Sequence, residues 1–111
     1  MLDNITQLLN TLGLARRSGR LIIGQDHVFA QMKKNEDLLI LLVNNSSKSV
    51  QRSVSAAVER KEAKLIILKN TDRETLGSNL GINSVQIVAL PKQSGFAKKI
   101  IILNDRSDAD E

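Results

Sequence analysis

An unbroken apolar run of six residues, Leu38 to Val43 (LLILLV), constrains the fold of this chain more than any other feature. Successive side chains of a strand point to opposite faces of a sheet, so a strand that is apolar at every position has no face for water. Such a run is typical of a central strand that is covered by helices on both sides. The sequence therefore predicts a sheet between two helical layers.

The segments that flank this run alternate between helical and extended hydrophobic spacing. Strands are predicted at residues 21–23, 63–68 and 85–90, the last of them ended by Pro91 because proline has no amide donor. Helices are predicted at 3–16, closed near Gly19, at 25–34, and from the turn at 44–47 to about 61. Two further helices are predicted at 72–80, capped by Asp72, and from about 96 onward. This alternation favours an α/β fold with one four-stranded, mixed or mostly parallel sheet.

The length of 111 residues predicts a single domain, which we place at residues 1–104. The remaining segment, 105–111 (DRSDADE), is acidic and has almost no apolar side chain to bury, so we expect a disordered tail there. The chain has no cysteine, which excludes disulfides and is typical of a reducing compartment. No signal peptide and no membrane-spanning run is visible, so a cytoplasmic location without a membrane partner is expected.

The domain is more basic than the whole chain. Of 16 Lys and Arg and 12 Asp and Glu in total, residues 1–104 hold 15 cations and 8 acids. A surplus of this size favours an anionic partner, nucleic acid foremost. The same surplus is also an ordinary aid to solubility, so charge alone leaves both interpretations open.

Motifs for catalysis are missing from the sequence. Neither a phosphate-binding loop of the G-x-x-x-x-G-K-[ST] type nor a G-x-G-x-x-G turn after a strand occurs. His27 is the only histidine, and it has neither cysteines nor clustered carboxylates with which to hold a metal. We therefore expect no enzyme activity, no cofactor, no metal and no small-molecule substrate.

The segment 16–28 (RRSGRLIIGQDHV) is the strongest candidate for a binding site. Gly24 lets a ligand approach the backbone, and the amides of the next residues at a helix start can hold an anion. Helical spacing predicts one exposed face on the following helix, made of His27, Ala30, Gln31 and Lys34. The candidate RNA-binding residues are Arg17, Arg20, Gly24, Gln25, Asp26, His27, Gln31, Lys34, Gly81, Ile82 and Asn83, and Arg16 is expected on the same positive surface.

A purely structural interpretation of the same segment is equally open on these residues alone. Gly24 would then be an ordinary turn residue, Asp26 would complement the helix dipole, and the arginines would form a solvated surface.

Three stretches resemble the bacterial YlxQ-type proteins of the ribosomal L7Ae/L30e superfamily. They are LGLARRSGRLIIG (12–24), LGSNLG (76–81) and VALPKQSGFAKK (88–99), and the resemblance extends over about residues 5–103. It implies a three-layer α/β/α sandwich that binds structured RNA, typically a kink-turn, in a ribosomal or translation-related setting, without catalysis.

The family's kink-turn motif is only partly kept at the start of the second helix. Gly24 matches, but Asp26 stands where the motif has asparagine, His27 where it has glutamate, and Ala30 where it has lysine. The resemblance also implies a second RNA-facing loop, 81–84, in which Ile82 would pack against a flipped-out base. The substitutions at the three motif positions predict that this protein reads RNA bases differently from archaeal members of the family.

A protein-interaction module is the alternative from another class. The same fold could dock on a ribosomal or translation protein through an exposed helix and make no base-specific contact with RNA. Steep weakening of binding with salt would favour RNA, whereas an apolar protein interface would change little.

Overall fold

A computed structural model describes residues 3–34, 37–61 and 63–109 of the chain. Helices and strands alternate throughout, as the hydrophobic spacing predicted. In chain order the elements are α1 (Asn4–Arg17), β1 (Ile22–Ile23), α2 (Gln25–Met32), β2 (Leu38–Leu42), α3 (Lys48–Lys61), β3 (Lys64–Ile67), α4 (Arg73–Asn79), β4 (Ile87–Pro91) and α5 (Gly95–Ala109).

The four strands form one mixed sheet in the order β1-β4-β2-β3, and β2 lies inside it as predicted. Among the described strands, only β2 and β3 pair in parallel. The last strand, β4, inserts between β1 and β2 and runs antiparallel to both. The mixed arrangement is therefore correct and the mostly parallel one is wrong, because hydrophobic spacing identifies a strand but not its partner or direction.

The apolar run of β2 divides its side chains between two cores, as a fully covered strand requires. Leu39, Leu41 and Val43 pack with α1, α4 and α5. On the other face Leu38 and Ile40 pack with α2 and α3. All five of these side chains are buried. This is the predicted three-layer α/β/α sandwich.

Pro91 does not end the ladder before it but occupies its last position. The strand was predicted at 85–90, whereas β4 spans Ile87–Pro91 and Pro91 pairs with Leu38. A proline is tolerated at a strand end because only its missing amide is lost from the ladder. Helix α2 is also shorter than predicted, since it ends at Met32 rather than at residue 34.

Helix α5 continues to Ala109 and so includes most of the segment that was expected to be a disordered tail. The last buried apolar side chain of this helix among the described positions is Leu103. Residues 110 and 111, the end of the predicted tail, lie outside the described residues. Among the described helices, none is long and apolar enough to cross a membrane.

Candidate nucleic-acid interface

A glycine turn after α1 displays three arginines. Ser18 caps the helix, Gly19 adopts a φ of 77°, and the amide of Arg20 donates to the carbonyl of Ala15 at 2.9 Å. This left-handed turn satisfies the last carbonyls of the helix and sends the chain into β1. Arg16, Arg17 and Arg20 are all exposed.

Gly24 joins β1 to α2 in a backbone conformation that favours glycine. Its φ is 93° and its ψ is 152°, and its amide donates to the carbonyl of Ile87 at 3.0 Å. Gly24 is the N-cap of α2, but it has no side chain with which to cap the helix. The amides of Gln25, Asp26 and His27 in the first turn therefore have no acceptor within the helix.

The imidazole of His27 is oriented by the backbone. Its Nδ1 lies 3.0 Å from the carbonyl oxygen of Ile23. A carbonyl can only accept, so this hydrogen bond assigns the proton to Nδ1. In the neutral ring Nε2 is then an acceptor, and because His27 is exposed this atom can contact a partner molecule.

The exposed face predicted for α2 is present. An open groove of about 540 Å³ runs between α2 and β1, and its lining consists of Leu21, Ile22, Ile23, His27, Ala30, Gln31 and Lys34. We call it the β1–α2 groove. The Oε1 atom of Gln31 is buried there and has no hydrogen-bond partner in the described part of the chain.

The loop 81–84 is held tightly against α4. A Cβ at Gly77 would lie 2.7 Å from the Cα of Ser84 and 2.8 Å from its nitrogen, so only a glycine permits this approach. The amide of Ile82 donates to the carbonyl of Gly77 at 2.9 Å. The Ile82 side chain is half-buried against the core, and Asn83 is exposed.

Arg16, at the start of the candidate segment 16–28, lies close to the loop 81–84. Gly81 has a φ of 75°, and a Cβ built on it would lie 3.8 Å from Nη1 of Arg16. The end of α1 thus lies close to the turn after α4, although 65 positions separate the two residues in the sequence.

Gly24 and the loop before β4 share a second depression. A cavity of about 290 Å³, which we call the Gly24 cleft, is lined by Gly24, Gln25, Arg73, Ser84, Val85, Gln86 and Ile87. Gly81 lies beside Arg16 outside this cleft. The structure therefore brings together Gly24, Gln25 and Ser84 in one cleft at one edge of the sheet. It does not bring Ile82 or Asn83 into the lining of this cleft, and Lys34 lines the β1–α2 groove instead.

Arg73 is a residue of this edge that the sequence patterns missed. Its Nε and Nη2 donate to the carbonyl of Asn45 at 3.2 and 3.0 Å, and its own amide donates to Oδ1 of Asn45 at 3.0 Å. Asn45 precedes it by 28 positions, so periodicity cannot relate the two residues. The one available signal was Asp72, whose predicted capping role places Arg73 at the start of a helix.

Groups of three or more side chains suited to a metal ion do not occur among the described residues. The exposed groups at this edge are instead backbone amides, guanidinium groups, one imidazole and the carboxylate of Asp26. The donor groups among these suit an anionic or polar partner.

Residues 6–101 match the sequence model of the Ribosomal protein L7Ae/L30e/S12e/Gadd45 family. The chain belongs to this family. It is 31% identical over 94 residues to the RNA-binding protein YlxQ of Bacillus subtilis (strain 168), which covers 85% of this chain and 91% of that protein.

Two solved structures share the fold. One is a protein of unknown function from Bacillus halodurans, with a TM-score of 0.78 and 22% identity over 88% of this chain and 96% of that one. The other is a 15.5 kD RNA-binding protein from Giardia lamblia, with a TM-score of 0.74 and 11% identity over 98% and 92% of the two chains.

Proposed function

We propose that this protein binds a structured RNA, one with a kink or an internal loop, and does so without catalysis. The observation that carries the proposal is that the Gly24 turn and Ser84 of the loop 81–84 line one cleft, while Gly81 of the same loop lies beside Arg16. We call this the RNA edge. A ribosomal or translation-related RNA is the expected partner.

The chemistry of the RNA edge suits a non-helical RNA element. Arginines and backbone amides bind phosphates, and such contacts position an RNA without reading its sequence. Base readout needs unstacked or unpaired bases, because the major groove of A-form RNA is too narrow for side chains. His27 and Asp26 stand at the start of α2, where the family's kink-turn motif places base-reading side chains.

Two differences from that motif shape the expected readout. The carboxylate of Asp26 accepts hydrogen bonds but cannot donate, so it suits an amino group on a base edge and repels phosphate. Nε2 of neutral His27 also accepts, since its Nδ1 is engaged with Ile23. We infer that this pair favours donor groups on the RNA, which distinguishes it from an asparagine–glutamate pair.

The relatives support the proposal. The Bacillus subtilis protein that resembles this chain is named as an RNA-binding protein, and so is the Giardia protein that shares its fold. In this chain the surplus of positive charge in residues 1–104 is suited to binding an RNA, which is negatively charged.

Gly24→Val tests the site. The added Cβ meets no atom within 4 Å in the free protein, but it stands where RNA would approach, and the positive φ strains the turn. We expect binding of a kinked RNA to weaken at least about tenfold, or ~1.4 kcal/mol. Gly95→Val is the control for an added side chain away from the site, because a Cβ there also meets no atom within 4 Å and Gly95 follows the far end of β4. Circular dichroism checks that both variants fold.

Arg20→Ala tests the electrostatic part without straining the backbone. The side chain is exposed, and the Arg20 amide keeps its bond to Ala15. If Arg20 contacts a phosphate, all RNAs weaken alike and the salt slope of log K falls by about one. Wild-type affinity in both Gly24→Val and Arg20→Ala would contradict the proposal and favour the protein-docking alternative.

A further inference from the structure

We propose that the edge strand β3 pairs with β3 of a second copy of this chain, so that the sheets of two molecules join into one. This inference is independent of the proposed RNA binding. In the strand order β1-β4-β2-β3, β3 lies at one edge, and among the described strands none covers its outer side. The Gly24 turn lies beside β1 at the opposite edge, so the pairing leaves it free.

Two residues of β3 direct their backbone groups to the open side. The amide of Leu68 donates to the carbonyl of Leu42 at 2.8 Å, and Leu42 is in register with Ile67. Successive residues of a strand direct their amide and carbonyl groups to opposite sides, so Ile66 and Leu68 bond to β2. The amides and carbonyls of Leu65 and Ile67 therefore point outward. Such a row of unpaired groups is a template for another strand.

The side chains at this edge also favour a partner. Ile67 is 57% exposed, more than any other large apolar side chain among the described residues. Leu65 is half-buried against the core beneath α3. Both line a depression of about 180 Å³ together with Gln51 and Ser55 of α3. The depression gives an apolar side chain of an added strand a place to pack.

A second copy fits this edge in one antiparallel register. A two-fold axis at Ile66 places Leu65 opposite Ile67 of the second copy, and Ile67 opposite its Leu65. All of these residues have outward groups, so each opposed pair can exchange both of its hydrogen bonds. Lys64 then lies opposite Leu68, so the cations of the two copies do not meet. A two-fold interface of this kind uses the same surface of both molecules.

The charges on α3 are self-complementary about the same axis. One face of this helix carries Lys48 and Arg52 toward its start and Glu59 toward its end, with Gln51 and Ser55 between them. Gln51 and Ser55 also line the depression over β3, so this face adjoins the open edge. The axis makes the two α3 helices antiparallel, which brings Glu59 of one copy toward Arg52 of the other. This complementarity selects a second copy over an unrelated strand.

Sedimentation equilibrium tests the dimer, with Ile67→Lys as the variant and Ile102→Lys as its control. Ile102 is 51% exposed and lies on α5, so the control makes the same change away from β3. A short interface associates weakly, and we expect a Kd on the order of 10–100 µM. Ile67→Lys should weaken self-association at least about tenfold, and Ile102→Lys should leave it unchanged. Thermal unfolding checks that both variants fold.

Two results of that experiment would overturn the proposal. A wild-type chain that stays monomeric up to about 1 mM would leave the edge of β3 to a strand of another protein. Equal loss of self-association in Ile67→Lys and Ile102→Lys would place the contact elsewhere. In dilute solution Ile67→Lys should bind a kinked RNA as the wild type does, so the outcome for the dimer is separate from that for RNA binding.

A charge exchange tests the arrangement of the two copies. Glu59→Arg opposes Arg52 of the other copy with a like charge and should weaken self-association about threefold or more. Adding Arg52→Glu to the same chain should restore it. The two positions lie seven residues apart on α3, about 10 Å along its axis, so the restoration cannot come from a contact within one helix. Failure of the double variant to regain wild-type self-association would contradict the proposed axis.

Discussion

Single glycines set the shape of the candidate site, and they do so for different reasons. At Gly24 the requirement is the positive φ, which side chains with a Cβ rarely adopt. Space is not the requirement, because a Cβ there would meet no atom within 4 Å in the free protein. Gly77 is needed for space, because a Cβ there would collide with the backbone of Ser84. Backbone atoms cannot swing aside as the end of a flexible side chain can. The position of the loop 81–84 therefore depends on Gly77, which leaves space for the Ser84 backbone.

Gly77→Ala should destabilise the protein, and Gly13→Ala should not. Both glycines lie within helices, but a Cβ at Gly13 would be 3.8 Å from the Asn79 carbonyl, an ordinary contact. We expect Gly77→Ala to cost about 1–3 kcal/mol through overpacking. Gly13→Ala should gain roughly 0.5–1 kcal/mol of helix propensity. Urea unfolding measures both, and equal effects would show that the contact with Ser84 is not tight.

Helix α4 connects the parts of the RNA edge. Its first residue is Arg73, its middle carries Gly77, and its last turn leads to Gly81. The carboxylate of Asp72 caps this helix by accepting from the amide of Thr75 at 2.8 Å. That bond, and the hydroxyl of the same threonine, hold the pKa of Asp72 below its usual value. The stabilisation of α4 by the ionised carboxylate of Asp72 therefore depends on pH.

Asp72→Ala should lower the thermal midpoint at neutral pH by removing this cap. A carboxyl whose pKa is lowered by folding stabilises the protein above its unfolded pKa, and that stabilisation is lost as the pH falls through the folded value. The difference between wild type and Asp72→Ala should therefore shrink below about pH 4. Asp72→Asn is the control, because asparagine caps well at any pH. A difference between wild type and Asp72→Ala that persists unchanged to pH 2 would show that the ionised carboxylate is not the stabilising group.

At the scale of the whole molecule, the hydrophobic spacing of the sequence predicted the features that depend on residues close together in the chain. The six apolar residues at 38–43 required two covering layers, and the predicted helix start at Asp72 and helix end near Gly19 agree with the structure. The insertion of β4 between β1 and β2 could not be predicted, because strand pairing depends on contacts between residues distant in sequence.

Sequence patterns relate only residues that are close in the chain, and this explains which parts of the candidate site could be predicted. The segment around Gly24 was recognisable because its glycine, its helix start and its cations are adjacent in the chain. The bond between Arg73 and Asn45 joins two turns that meet only when β2 and α4 are packed in the fold. The proximity of Arg16 to Gly81 is likewise a result of the tertiary fold.

We propose that one edge of this domain recognises the shape of a structured RNA rather than negative charge alone. This proposal is tested most directly by comparing the affinity of the wild-type chain for two RNAs of equal length and composition, one with an internal loop that bends the axis and one a plain duplex. At several salt concentrations we expect both complexes to weaken with salt, and the bent RNA to stay at least about tenfold tighter. Equal affinity for the two RNAs at every salt concentration would contradict the account.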